Sequence, residues 1–130
     1  MSAAKDIATH LVNESLATGI GTDVFTNDTP STPVEVIVIY DTAGYPSEAA
    51  FGEHNIAMRS PGIQVQVRSA SQGTAQDLAE LIHTELNAWS GGVFSGVTYG
   101  YSETLQDPFF LKRDGSRNVY MAFNAILTRS

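Results

Sequence analysis

Between Ser60 and Trp89 the apolar residues change their period, and that change decides what the chain is built from. After the turn dipeptide Pro61-Gly62, Ile63, Val65 and Val67 alternate with Gln64, Gln66 and Arg68. An extended strand sends successive side chains to opposite faces, so this run predicts a strand with one dry face and one polar face. Past the small residues from Ser69 to Gly73 the spacing becomes three and four, and Ala75, Leu78, Ala79, Ile82, Leu86 and Trp89 share one helical stripe. Thr74 is placed to cap that helix, Asp77 suits its positive end, and Gly91-Gly92 is placed to stop it.

The rest of the chain supplies partners for this pair. Ala3 to Ala17 carries Ala4, Ile7, Ala8, Leu11, Val12 and Leu16 on a second helical stripe, with Gly19 as its stop. Gly21 to Pro33 is turn chemistry around Val24-Phe25, which reads as a short edge strand. Val34 to Tyr40 is almost all apolar or β-branched, as a strand buried on both faces requires, and Glu35 alone breaks it. From Asp41 to Met58 no period survives among Gly44, Pro46, Gly52 and the charges, which predicts a long loop.

Val97, Tyr99 and Tyr101 then alternate with Thr98, Gly100 and Ser102 as another strand. In Gln106-Asp107-Pro108-Phe109-Phe110-Leu111 the proline cannot donate a ladder bond, so a turn or sheet edge carrying two adjacent rings is expected. Lys112-Arg113-Asp114-Gly115 suits a charged hairpin turn, and Val119 to Leu127 alternates as a long last strand, paired most simply with Val97 to Glu103. The order helix, strand, strand, helix, strand, strand predicts an α+β fold of two layers, in which two helices cover one face of a mostly antiparallel sheet. One domain over residues 1–130 is expected, with Gln64, Gln66, Arg68, Thr98, Ser102 and Asn124 on the opposite face.

Charge and composition exclude several functions. Through Met58 eight acids face Lys5 alone, whereas from Arg59 onward acids and bases balance, so the net charge of −7 sits in the first part. Duplex DNA is bound largely by lysine and arginine neutralising phosphates, so a conventional nucleic-acid binder is not expected. Without cysteine there is no disulfide, thiolate metal site or thiol nucleophile. No run of about 18 apolar residues spans a bilayer, and the first residues do not resemble a signal peptide, so a soluble protein made in the cytoplasm is expected. His10 has no second histidine one helical turn away, His54 stands beside Glu53 in the irregular stretch, and His83 borders the helix stripe among acids. None forms a metal-ligand or catalytic pattern, so no cofactor, metal or catalytic residue is expected.

Four pieces in order carry a family resemblance: the strand from Pro61 to Arg68, the helix spacing from Ala75 to Leu86, the QDPFFLKRD run and the final Phe123-Asn124-Ala125 strand. Together they resemble the tail terminator, or minor capsid, proteins of long-tailed bacteriophages. The resemblance implies a structural virion protein, not an enzyme. Such a protein forms a ring, expected to be hexameric, on the head-proximal end of the tail tube, ends its polymerisation and makes the joint to the neck. Its partners would be further copies of itself, the tail tube protein and a head–tail connector, with genomic DNA passing through unbound and no membrane involved. Assembly in the host cytoplasm and residence in the virion follow.

On that reading the polar strand face and the aromatic turn are the expected subunit or tube contacts: Gln64, Gln66, Arg68, Pro108, Phe109, Phe110, Lys112 and Arg113. Glu35, Asp41, Glu48 and Glu53 are the expected acids of the lumen, where like charge keeps DNA from sticking. Another neck component, such as a head completion or connector protein, shares the size and ring logic. A small hydrolase using His54 or His83 is a weaker alternative, with no supporting motif.

Overall fold

The computed structural model describes residues 2–49, 56–87, 89–94 and 96–129. Helix α1 (Ala3–Asn13) is followed by β1 (Val24–Thr26), β2 (Val36–Ala49) and β3 (Ile56–Ser69). Helix α2 (Gln72–Leu86) leads to β4 (Gly92–Phe94), β5 (Val97–Thr104), β6 (Phe109–Arg113) and β7 (Val119–Arg129). The sheet runs β1-β2-β3-β7-β5-β4, and only the β1–β2 pair is parallel among the described strands. β6 also pairs with β7, taking its first half while β5 takes its second. The expected partnership of β5 and β7 is present, and β7 is bordered by β3 along its other side.

Both helices lie on one face. Ile7 and Leu11 of α1 and Ala75, Ala79, Ile82 and Leu86 of α2 pack with Ile37, Ile39, Ile63, Val65, Val67, Phe123 and Leu127 in one core. Each of these strand residues follows the period of two, so burial of the alternate set drives both pairing and docking of the helices. The fold is the expected α+β arrangement, and its other face is drier than expected. Val36, Val38, Tyr120, Ala122 and Ile126 are also buried, so β2 and β7 are apolar on both sides at the sheet centre.

Helix ends differ from expectation for local reasons. Ser71 caps α2, its hydroxyl accepting from the Thr74 amide at 3.5 Å, so Thr74 lies inside the helix. The helix ends at Leu86, with Trp89 beyond it, and Gly91 instead turns the chain into β4 with φ +97. A Cβ on Gly91 would stand 1.8 Å from the Tyr99 carbonyl oxygen, so that close approach selects glycine. α1 stops at Asn13 because Ser15 adopts the left-handed conformation, and the Leu16 amide donates back to the Leu11 carbonyl at 2.9 Å. Gly19 is not its stop.

The expected loop from Asp41 to Met58 is, where described, a β-ribbon. β2 continues through Ala49 and pairs back with β3, Tyr45 opposite Ser60, Glu48 opposite Met58 and Ala49 opposite Ile56. Three register shifts interrupt the pairing, each moving side chains off the period of two, which is why the sequence shows no strand signal there. Pro61-Gly62 lies within β3 and makes no turn. Gly44 and Gly62 allow the ribbon to close: a Cβ on Gly44 would stand 1.8 Å from the Ser60 carbonyl oxygen, and one on Gly62 2.7 Å from that of Ala43.

Candidate assembly surface

The face of the sheet away from the helices is built in rows, because directly opposed residues of antiparallel strands share a face. One row runs Tyr40, Gln64, Asn124; the next runs Val38, Gln66, Ala122, Phe109; the third runs Val36, Arg68, Tyr120, Lys112. Five of the residues expected at contacts, namely Gln64, Gln66, Arg68, Phe109 and Lys112, therefore fall on one continuous surface. Gln66 donates to the Gln64 amide oxygen at 2.8 Å, which fixes both side chains along β3.

Arg68 departs from expectation. Only 4% of it is exposed, and its guanidinium donates to the Val34 carbonyl at 2.9 Å, the Pro33 carbonyl at 2.6 Å and the Tyr120 hydroxyl at 3.3 Å. An arginine so committed ties the segment before β2 onto the sheet and has little surface left for a neighbour. Ser102 is also corrected. A register shift between Tyr99 and Tyr101 turns it toward the helices, where it is buried and donates to the Leu86 carbonyl.

Tyr120 organises the basic end of this surface, and the sequence gives little sign of it. The Lys112 ammonium sits 4.8 Å from its ring centroid and the Arg68 guanidinium 5.8 Å. Beside it, Asp114 closes the turn from β6 to β7 by accepting from the Ser116 and Asn118 amides at 2.9 and 3.0 Å. Desolvation would raise the Asp114 carboxyl, but these hydrogen bonds and the Arg68 charge outweigh it and hold the carboxyl below its ordinary value. The expected turn at Lys112 to Gly115 thus begins later: Lys112 and Arg113 belong to β6.

β6 is a short edge strand, and its rings diverge. Phe109 shares the outer face with Ala122, whereas Phe110 pairs with Met121 on the helix side and keeps 49% of its surface exposed. Arg113, opposite Val119, lies on that same helix side. Pro108 borders a groove of about 510 Å³ whose other walls are Asp107 and, on α2, Gln76, Glu80, His83 and Thr84. Just before it, the Gln106 side chain accepts from the Asn124 amide at 2.6 Å. It fills the ladder where β5 hands over to β6, a role only the paired strands reveal.

The acids expected at a lumen do not converge on one feature. Asp41, opposite Ile63, lies on the helix side and accepts from the Ser2 hydroxyl at 2.7 Å, the Ala4 amide at 3.0 Å and the Asn27 amide group at 2.7 Å. It anchors the N-terminus of α1. Burial would raise its carboxyl, and the hydrogen bonds from Ser2, Asn27 and Ala4 overcome that and lower it. Glu35 is exposed six residues away, beside Leu16, Asp23 and Leu78, roughly 20 Å along the strand. Glu48 lies in the ribbon opposite Met58, and Glu53 lies outside the described residues.

His83 meets Phe123 edge-on with ring centroids 5.2 Å apart, 3.9 Å from the exposed Asp107 carboxylate, and His54 lies outside the described residues. No helix among the described residues is long and apolar enough to cross a membrane.

No protein of curated function matches the sequence. Six solved chains match in structure. One of them aligns with 97% of this chain and 96% of its own at a TM-score of 0.53 and 13% identity, a likeness of fold alone. The family profile described as bacteriophage tail terminator protein matches residues 11–129. That span runs from the last turn of α1 to the last residue of β7 and takes in every strand described above. The chain belongs to the bacteriophage tail terminator family.

Proposed function

We propose that this protein acts, as one domain over its whole length, as a ring that caps the head-proximal end of a phage tail tube. It ends tube polymerisation and forms the joint to the neck. The observation that carries this reading is the family match over nearly the whole chain, which makes the protein a structural component of a phage tail and points away from catalysis.

The surface supports the finer reading. A heterologous contact between identical subunits closes a ring when the rotation per subunit permits, and each subunit must then offer two different faces. The basic outer row ending at Lys112 and the unpaired edge of β6 with Phe110 offer one such face. The Asp77, Glu80 and Asp107 side chains, on the helix side, offer one of opposite charge. We assign Gln64, Gln66, Pro108, Phe109, Phe110, Lys112 and Arg113 to contacts with a second copy or with the tail tube protein, and place Arg68 beneath them as their support. Glu35, Asp41, Glu48 and Glu53 keep the surroundings of the passing genome acidic. A head–tail connector would meet the opposite rim.

Native mass measurement of the protein alone and of isolated tails tests the ring, with a hexamer expected. Deleting the gene tests the role: tails of uncontrolled length, or tails that do not join heads, are expected. A monomer in both preparations, or normal joined tails without the protein, overturns the proposal.

A further inference from the structure

The C-terminal ends of the two helices meet on one histidine, on the helix side of the sheet, across from Gln64, Gln66 and Lys112. His10 lies in the last turn of α1, its side chain 9% exposed and its ring held 4.5 Å from that of Trp89. Its Nε2 is 2.8 Å from Glu85 Oε1 in the last turn of α2. Glu14, the C-cap residue of α1, stands one turn beyond His10 on the same face of the helix. One donor atom from each of the three side chains lies within 4.8 Å of the other two.

A histidine–glutamate hydrogen bond explains only part of this. Two carboxylates are brought together at the negative ends of two helix dipoles, where each is repelled by the other and by the terminal carbonyls. A cation relieves both repulsions at once. We propose that His10, Glu14 and Glu85 bind one divalent first-row transition-metal cation, of the zinc or cobalt class, which clasps the two helices together.

The donor set selects that class. Calcium and magnesium take all-oxygen shells, whereas an imidazole nitrogen with two carboxylates suits zinc, cobalt or manganese. Metal bonds of about 2.0–2.2 Å separate ligand atoms by roughly 3–3.5 Å, so rotation of the exposed Glu14 completes the site without moving a helix. On binding, the proton shared between His10 Nε2 and Glu85 Oε1 leaves to water and the neutral ring carries its proton on Nδ1, so that Nε2 and the carboxylate each give a lone pair to the cation. The remaining positions open to water, because Glu14 is exposed and Glu85 half-buried. Sequence spacing conceals the site, since its third ligand comes from the other helix.

Tag-free, chelator-treated protein titrated with Co²⁺ is expected to show saturable visible d–d bands from one cation per chain, displaced by Zn²⁺. Zinc at a hundredfold excess over its Kd is expected to raise Tm by roughly 8 °C. Glu14→Gln leaves the buried His10–Glu85 pair in place, so it folds, and it is expected to weaken binding at least about tenfold. His83→Gln is expected to bind as the parent does. Absence of saturable binding, a Glu14→Gln variant that binds like the parent, or loss of binding in His83→Gln overturns the proposal. Ring formation is not part of this readout, so either idea can fail alone.

Discussion

Phe110→Ala separates folding from assembly, and its size can be worked from burial. Fully burying a phenylalanine contributes about 1.5–3 kcal/mol, and folding hides only half of this one, so truncation costs the monomer about 1 kcal/mol. Phe123, fully buried, is the internal comparison: its truncation costs about 3–5 kcal/mol. If a neighbour covers the exposed half of Phe110, each contact loses a further ~1 kcal/mol on the same area argument. A closed hexamer contains six such contacts, so its assembly constant falls by about four orders of magnitude at 1.4 kcal/mol per tenfold. Because that constant scales with the fifth power of concentration, half-assembly moves to roughly eightfold higher protein. Urea unfolding measures the first effect and sedimentation against concentration the second. An unchanged assembly midpoint, or a folding loss as large as that of Phe123→Ala, refutes the assignment of this ring to a contact.

Three further substitutions test the fold beneath that surface. Tyr99→Phe strips the 2.6 Å hydrogen bond from Asp6, a carboxylate only 5% exposed, and is expected to cost about 2 kcal/mol in urea unfolding. Burial first, then the hydrogen bond to Asp6 and its charge, raises the Tyr99 hydroxyl pKa, so its stabilisation is complete below pH ~10 and declines above it; the variant should show a flatter alkaline decline. Asp41→Asn removes a carboxylate lowered in the fold, whose stabilisation is present above pH ~4 and is lost as pH falls below it; about 1 kcal/mol should go at pH 7, and an unchanged acid midpoint would count against the anchoring role. Gly44→Val forces a side chain into the Ser60 carbonyl and should speed amide exchange in the ribbon while sparing α2, whereas uniform exchange would show that the ribbon and core open together.

Where one face of an element met the core and the period ran unbroken, the sequence sufficed: Ile63-Val65-Val67 and the α2 stripe are examples. It misled where pairing overrode the pattern. The ribbon from Asp41 to Met58 lost its signal to register shifts, and Ser102 was carried to the other face by one of them. The α2 start moved to Ser71 because several small polar residues stand before the stripe and only the backbone decides which of them caps. Of the surface, the face-sharing of Gln64 and Gln66 followed from alternation, but the place of Lys112, expected in a turn, and the burial of Arg68 did not. Its three partners lie 34, 35 and 52 residues away, beyond any local rule.

β7 is the last strand in chain order, yet β3, β5 and β6 all pair with it. During synthesis the edges of β3 and β5 therefore wait, unpaired, for a partner that leaves the ribosome after them. Long-range pairing of this kind is slow and leaves nascent edges open to the wrong strand. Among the described strands β6 pairs with β7 alone, so the edge proposed above to meet other copies would become ordered only in the step that completes the subunit.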